Sequence, residues 1–377
     1  DMDESHLNQW LTLYRHMVAA RRIEARAADL ARRGEISFHL GGDGHEGTAV
    51  LAPLLGPQDW LHPHYRDLAL LLARGLPIAE FIHTLFGTSR ASSGGLDMPP
   101  FHCDPELHVL PMPTFVGNNA LPAVGVAAQV VRQPDRPIVY CGIGDGGSQQ
   151  GEVLEAIAEA VRRTLPVLFV VEDNRYALST PTRGATWYDL PEGPATEFYG
   201  IPIVLADARD PIAFEAALRP LIAAMRDDRR PRLVVARCER LVSHSNSDDQ
   251  TVYRSTEEIR EVRESGDPIA RVRAWLSVSG IPQERLSTIE HAVDRELEAA
   301  IAEARTTAAP TYAPARWPRQ DAPPPRPEIR PDGPPERSML EALRDTLADL
   351  LAAHPEVTLY GQDIEDPKGD VFGVTRG

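Results

Sequence analysis

Leu7, Trp10, Leu11, Tyr14, Met17 and Val18 recur at three- and four-residue spacing. They predict an amphipathic helix running to Arg33, with Gly34 as its stop. A glycine-rich segment, Gly41-Gly42-Asp43-Gly44-His45-Glu46-Gly47, leads into a short apolar helix over 48–55. Residues 68–90 keep helical periodicity and are expected to be helical, whereas 92–113, rich in Gly, Pro, Ser and His, are expected to be irregular. The pattern then changes. Residues 137–143 form an apolar run that predicts a buried strand, 144–151 a glycine-rich turn, 152–163 a helix, and 167–171 a second short apolar strand. A strand–loop–helix–strand unit implies parallel strands joined by a right-handed crossover. Further strands are predicted at 201–205 and 233–236, with a helix over 211–225 between them. The class is α/β, a mostly parallel sheet flanked by helices.

Residues 310–335 contain ten prolines and read as an extended linker. Beyond them Ser338 is placed to cap a helix over 339–353, and 357–360 reads as a strand. The expected organisation is a main domain over 1–306, a linker over 307–337, and over 338–377 the beginning of a second domain. At 377 residues and 42% apolar content the chain has ample material for a core without staples. The net charge of −16 argues against broad contact with a nucleic-acid backbone, while leaving room for a local phosphate site. No apolar stretch approaches 18 residues, so no membrane span is expected. Cys103, Cys141 and Cys238 are few and far apart, which points to a reducing compartment. No cationic apolar leader precedes the first predicted helix, and the expected location is cytoplasmic.

The central turn admits two chemistries. Gly142, Gly144 and Gly147 satisfy G-x-G-x-x-G after a strand, with Glu172 or Asp173 ending the next strand, as in dinucleotide-binding units. Alternatively, Asp145 and Asn174 lie at the carboxyl ends of neighbouring parallel strands, where ligands bind in open α/β sheets. Electrostatics favours the second reading. An aspartate in a bare pyrophosphate turn repels the anion, unless the carboxylate holds a divalent cation that bridges to it. Asp145, the Asn174 side-chain carbonyl and the Tyr176 backbone carbonyl are hard oxygen donors suited to Mg²⁺. Upstream, His62-Pro63-His64-Tyr65-Arg66-Asp67 offers a hydroxyl and a guanidinium fork for a phosphate, or else an ordinary surface ion pair. The two histidines raise the question of a metal, but no third ligand stands out by spacing. Downstream, Arg240 opens a polar loop that contains Ser243-His244-Ser245-Asn246-Ser247-Asp248-Asp249, surroundings that suit a proton-transfer histidine in a cleft.

These pieces, in this order over about residues 7–305, resemble the α subunit of thiamin-diphosphate-dependent 2-oxo acid dehydrogenases. The resemblance rests on Gly34-Glu35-Ile36-Ser37-Phe38, His64-Tyr65-Arg66, Gly144-Asp145-Gly146 with Asn174, 176–182, and the loop from His244 to Asp249 followed by Tyr253-Arg254. It implies a thiamin-diphosphate-binding fold and oxidative decarboxylation of a 2-oxo acid with acyl transfer to a lipoyl group; 176–182 and the loop ending at Asp249 look most like branched-chain members. Carried over by position, Asp145, Asn174 and the Tyr176 carbonyl would hold Mg²⁺. Tyr65, Arg66 and Arg240 would bind the cofactor, with Gly144 and the Gly146 and Gly147 amides. The Gly117 backbone would face the aminopyrimidine. His244 would assist acyl transfer, and Phe38 and His64 would shape the substrate pocket. The implied partners are a β-type domain, in the same polypeptide or as a separate chain, and a lipoyl acyltransferase, in a homodimer or α₂β₂-like assembly.

Residues 338–377 resemble the start of the β subunit of the same enzymes, as in an α–β fusion. There are departures. Ser243 stands where the family usually has Gly or His, and Gln362 replaces a common glutamate. Residues 98–102 fit loosely, and 114–120 lack the pattern of a monovalent-cation site, so no potassium is expected. Pyruvate and acetoin dehydrogenases are the alternatives within the family. Outside it stand an NAD(P)-binding oxidoreductase and a non-catalytic homologue.

Overall fold

The computed structural model describes residues 4–98, 101–112, 114–311, 337–357, 359, 361 and 363–377. Most of the proline-rich linker, and with it Tyr360 and Gln362, lies outside the described residues. The chain divides into two compact units, Asp1–Ala309 and Pro310–Gly377.

In the first unit helix α1 spans Glu4–Arg32 and buries Trp10, Tyr14, Met17, Ile23 and Leu30, the face set out by the apolar spacing. Gly34 follows with φ 72°, a left-handed conformation that only glycine adopts without strain. A 3₁₀ turn, Glu46–Val50, and a single helical turn, Leu51–Leu54, lead to strand β1, Trp60–His62. The helical stretch expected over 68–90 is two helices, α2 (Leu68–Arg74) and α3 (Ile78–Phe86). Gly75, at φ 123°, ends the first, and Pro77 starts the second. The apolar pattern runs through that break because both helices bury a face in the same core. Helix α4 (Ala120–Val130), strand β2 (Val139–Gly144), helix α5 (Gly151–Arg163) and strand β3 (Val167–Asp173) follow. After strands β4 (Glu197–Phe198) and β5 (Ile201–Asp207) come helix α6 (Pro211–Asp228), strand β6 (Arg232–Arg237) and helices α7 (Thr256–Ser265), α8 (Pro268–Val278) and α9 (Gln283–Thr306).

The sheet order is β1-β2-β3-β6-β5-β4, parallel throughout except for the β4–β5 pair. Alternate residues of the central strands enter two different cores. Tyr140, Leu168 and Val170 pack with α1, α2 and α3 on one face. Val139, Cys141, Ile143, Val167 and Phe169 pack with α4 and α5 on the other. Burial on both faces is why these strands read as continuous apolar runs. Four short-range features then sit beyond the carboxyl ends of β1, β2, β3 and β6: the His64-Tyr65-Arg66 segment, Asp145, Asn174, and the Arg240–Asp249 loop.

In the second unit, helix α10 (Met339–Ala353) starts with a complete capping box, the Ser338 and Glu341 side chains each bonding the other's backbone N–H. The expected strand over 357–360 is not formed at Val357 or Leu359, the described positions.

One buried carboxylate anchors the start of the sheet. Asp59, fully buried, accepts from the Ile138 and Gly56 backbone N–H groups at 2.7 Å each and from Arg226 Nη1 at 2.9 Å. Asp59→Ala strands the guanidinium and two amides. Urea denaturation should show a loss of about 3 kcal/mol; a loss below about 1 kcal/mol would mean that the network adds little.

Candidate functional site

Neighbouring strands lie about 4.8 Å apart, so the loops after β1, β2, β3 and β6 open within roughly 15 Å of one another. Gly144 pairs with Glu172 across β2 and β3, which sets Asp145 beside Asp173 just past the strand ends. Asp145 is buried. Its Oδ1 accepts the Gly146 amide at 2.8 Å, and its Oδ2 accepts the Thr182 hydroxyl at 3.2 Å. Among the described residues no cation pairs with it. Burial, and then the neighbouring Asp173 charge, push its carboxyl up to about 6. Asn174 is also buried, and its Oδ1 accepts the Tyr176 backbone N–H at 3.1 Å. The two turns after β2 and β3 thus carry Asp145, Asn174 and Tyr176, with Gly146 and Gly147 in the first of them.

Gly144 and Gly117 are glycines for steric reasons. A Cβ on Gly144 would sit 2.9 Å from His64 Nε2. Gly117 has φ 82°, and a Cβ there would stand 3.0 Å from the Gly147 carbonyl oxygen. The 114–119 segment therefore lies directly against the glycine-rich turn, which brings Gly117 to the site.

Arg66 is not on the surface. It is 2% exposed, and its Nη1 donates to the Gly41 carbonyl. Its Nη2 donates to His244 Nδ1 at 3.0 Å and to the His244 carbonyl at 3.3 Å. A guanidinium has only donors, so His244 Nδ1 accepts, and the neutral ring carries its proton on Nε2. Tyr65 flanks both groups: the Arg66 guanidinium carbon is 4.9 Å from its ring centroid, and the His244 ring meets it edge-on at 6.3 Å. The loop is tied down from two sides. Asp248 accepts the His244 N–H at 2.8 Å, and Asn246 exchanges hydrogen bonds with His39 N and O at 3.2 and 3.1 Å. That clasp draws the segment carrying half-buried Phe38 to the His244 loop.

Arg240, 1% exposed, donates to the Leu178 carbonyl at 2.8 Å and the Tyr253 hydroxyl at 2.6 Å. Its guanidinium carbon lies 5.7 Å from the Tyr176 and Tyr253 ring centroids. Burial first, with Arg66 among the nearby charges, pulls its pKa down. The Nε atoms of Arg66 and of Arg240 have no partner, and among the described residues neither guanidinium has a carboxylate at ion-pair distance. Arg240 reaches the Asp248 carboxylate only through the Tyr253 hydroxyl, which stands 2.6 Å from each. Two buried cations with no carboxylate directly on them, near a buried carboxylate without a cation, are costly unless a ligand carrying both charges completes them.

The spacing of residues along the chain gave no sign of a further cluster. His45 Nδ1 lies 2.6 Å from Glu172 Oε2, and His64 Nδ1 lies 3.3 Å from the same oxygen, all three residues being buried. This is the third partner that spacing could not supply for His64, with Glu172 more than a hundred residues away. His62 is separate, its Nε2 bonded to the Pro111 carbonyl at 2.8 Å. The cluster is a hydrogen-bond network: two ligands on one tetrahedral ion stand about 3.3 Å apart, whereas the His45–Glu172 contact is at hydrogen-bond distance. Glu172 is fully buried here, which removes it from the ribose-binding role of a dinucleotide fold. Glu24 and His39, joined at 2.6 Å, form a second buried pair not foreseen, beneath Gly42.

The Asp145 charge has a measurable cost in the absence of a cation. Its folded pKa lies above the ordinary 3.8, so the unfolded chain ionises first. Stability then falls as pH rises from about 4 to about 6 and is level above that. Without divalent metal, Asp145→Asn should be more stable than the parent by about 3 kcal/mol at pH 7 and equal to it near pH 3.5. Thermal melts at both pH values check this, and equal melting at pH 7 would contradict it.

Residues 14–313 match the family model described as dehydrogenase E1 component. The 3-methyl-2-oxobutanoate dehydrogenase subunit alpha of Mycobacterium tuberculosis is 33% identical over 287 residues, 76% of this chain and 74% of the relative. The 2-oxoisovalerate dehydrogenase subunit alpha of Bacillus subtilis is 30% identical over 299 residues, 78% of this chain and 89% of the relative. The human mitochondrial 2-oxoisovalerate dehydrogenase subunit alpha is 29% identical over 273 residues, 72% of this chain and 61% of the relative. Among the described residues no helix is long and apolar enough to cross a membrane. A parallel sheet whose strand ends gather the Asp145 turn, the Arg66 segment and the His244 loop, together with a family match over most of its length, makes this chain a member of the dehydrogenase E1 component family, an α-type 2-oxo acid dehydrogenase subunit.

Proposed function

We propose that the chain binds thiamin diphosphate through Mg²⁺ and takes part in oxidative decarboxylation of a branched-chain 2-oxo acid, passing the acyl group to a lipoyl acceptor. The observation that carries this reading is the charge pattern: among the described residues Asp145 is buried with no cation on it, and Arg66 and Arg240 are buried with no carboxylate directly on either. A Mg²⁺-diphosphate is a ligand with both complements. Asp145, the Asn174 Oδ1 and the Tyr176 carbonyl are the hard oxygen donors for the metal. Arg66, Tyr65 and Arg240 serve the diphosphate, with the amides of Gly146 and Gly147; Gly144 and Gly117 keep the adjoining backbone free of side chains. When bound, thiamin diphosphate supplies the electron sink for decarboxylation.

The chain's own contribution is position and protons. Arg66 fixes the His244 tautomer, so that Nε2 holds the proton that acyl transfer requires. Phe38 and His64 border the substrate. The branched-chain preference follows the relatives, which are named 3-methyl-2-oxobutanoate and 2-oxoisovalerate dehydrogenase subunits. Partners of this reading are a β-type domain, to which 338–377 is similar in sequence, and a lipoyl acyltransferase, in an α₂β₂-like assembly.

Two variants separate the roles. Asp145→Ala should weaken thiamin diphosphate binding at least tenfold, about 1.4 kcal/mol, in calorimetric titrations with Mg²⁺ on the assembled enzyme; unchanged affinity would reject the site. His244→Ala should keep cofactor binding and lose about 10²-fold in lipoyl-dependent turnover, with a smaller loss when an artificial oxidant replaces the lipoyl group. Equal losses in both assays would assign His244 to an earlier step.

A further inference from the structure

Asn174 can serve a cation only if its amide points the right way, and two neighbours decide that. The Tyr176 backbone N–H, a donor only, lies 3.1 Å from Oδ1, so the oxygen is on that side. The Nδ2 amine then faces His45 Nε2 at 3.1 Å. Two donors cannot face each other, so His45 Nε2 is unprotonated and the ring proton sits on Nδ1. That proton needs an acceptor, and Glu172 Oε2 supplies it at 2.6 Å. His45 and Glu172 have no exposed surface and Asn174 is 6% exposed, so water does not compete for these bonds.

We propose that Glu172 and His45 are positioning residues for Asn174. The carboxylate selects the Nδ1–H tautomer of His45; the resulting Nε2 acceptor holds the Asn174 Nδ2; and the amide oxygen is thereby kept toward the turn that carries Asp145. The same Glu172 oxygen takes His64 Nδ1 at 3.3 Å, so one buried carboxylate orders both the metal-side amide and the histidine above Gly144. This inference rests on the reading in which Asn174 Oδ1 is a Mg²⁺ ligand.

The test measures metal affinity, not turnover. Mn²⁺ replaces Mg²⁺ and is titrated into the full-length protein with thiamin diphosphate present, with free Mn²⁺ followed by electron paramagnetic resonance. His45→Phe, which fills the space without an acceptor, should weaken Mn²⁺ about tenfold, the scale for losing an outer-shell partner. His45→Gln, whose amide can accept from Asn174 and donate to Glu172, should restore affinity to within about threefold. Asn174→Ala should lose at least as much as His45→Phe, and adding His45→Phe to it should cost nothing further. If Asn174→Ala leaves Mn²⁺ affinity unchanged, the ligand assignment itself fails. If Asn174→Ala weakens it but His45→Phe does not, or if the two losses add, or if His45→Gln behaves like His45→Phe, the positioning role is overturned and the ligand assignment stands. Circular dichroism checks folding. Should His45→Phe not fold, His45→Met, which also lacks a nitrogen acceptor, takes its place with the same expected outcomes.

Discussion

A parallel sheet delivers the carboxyl ends of its strands to one edge, and the candidate site depends on that. The His64-Tyr65-Arg66 segment, Asp145, Asn174 and the Arg240–Asp249 loop belong to four stretches of sequence spread over nearly two hundred residues. They meet because β1, β2, β3 and β6 are consecutive in the sheet and point the same way. Had β3 run antiparallel, Asn174 would open at the far edge, away from Asp145. The sheet in turn holds because its central residues are buried on both faces, with helices supplying a core on each side.

That arrangement carries an electrostatic cost which the fold does not itself relieve. Buried polar groups are normally satisfied, and buried charges are normally paired. Several buried carboxylates of the chain follow this rule. Asp59 has Arg226, Glu24 has His39, and Glu46 has Arg21. Among the described residues Asp145 has no cation on it and the guanidiniums of Arg66 and Arg240 have no carboxylate directly on them, and all three lie where the strand ends converge; Asp67, buried against the His64 amide and the Tyr140 hydroxyl, also lacks a cation.

Local regularity was legible in the sequence, and long-range pairing was not. The β2–α5–β3 unit stood out because a fully buried strand is a continuous apolar run, and because glycines mark the turn after it. The break between α2 and α3 was hidden, since Gly75-Leu76-Pro77 interrupts the backbone without interrupting the apolar pattern. Strand β1 is only three residues long, too short for a period-two signal. Within the site, Asp145, Asn174, Arg66 and His244 could be picked out by residue type and local setting. That Arg66 bonds His244, or that His45 and His64 share Glu172, could not be, because those contacts span more than a hundred residues and leave no spacing to read.

The segment between α1 and the first 3₁₀ turn shows how such distant contacts are enforced by backbone alone. Gly44 has φ 99°, and a Cβ on it would come within 1.9 Å of the Glu239 carbonyl oxygen; one on Gly47 would come as close to that of Ala208. Gly42 is pressed against the Arg66 carbonyl and Glu24. These three glycines let one short stretch touch the chain just past β6, just past β5 and just past β1, so that His39 reaches Asn246 and His45 reaches Glu172. Burial in this crowded floor, together with Glu46, holds the Asp43 carboxyl up to about 7, although Arg21 lies 3.3 Å from it. The glycine-rich run is therefore the plate on which the candidate site rests. Its composition follows from close packing of backbone on backbone.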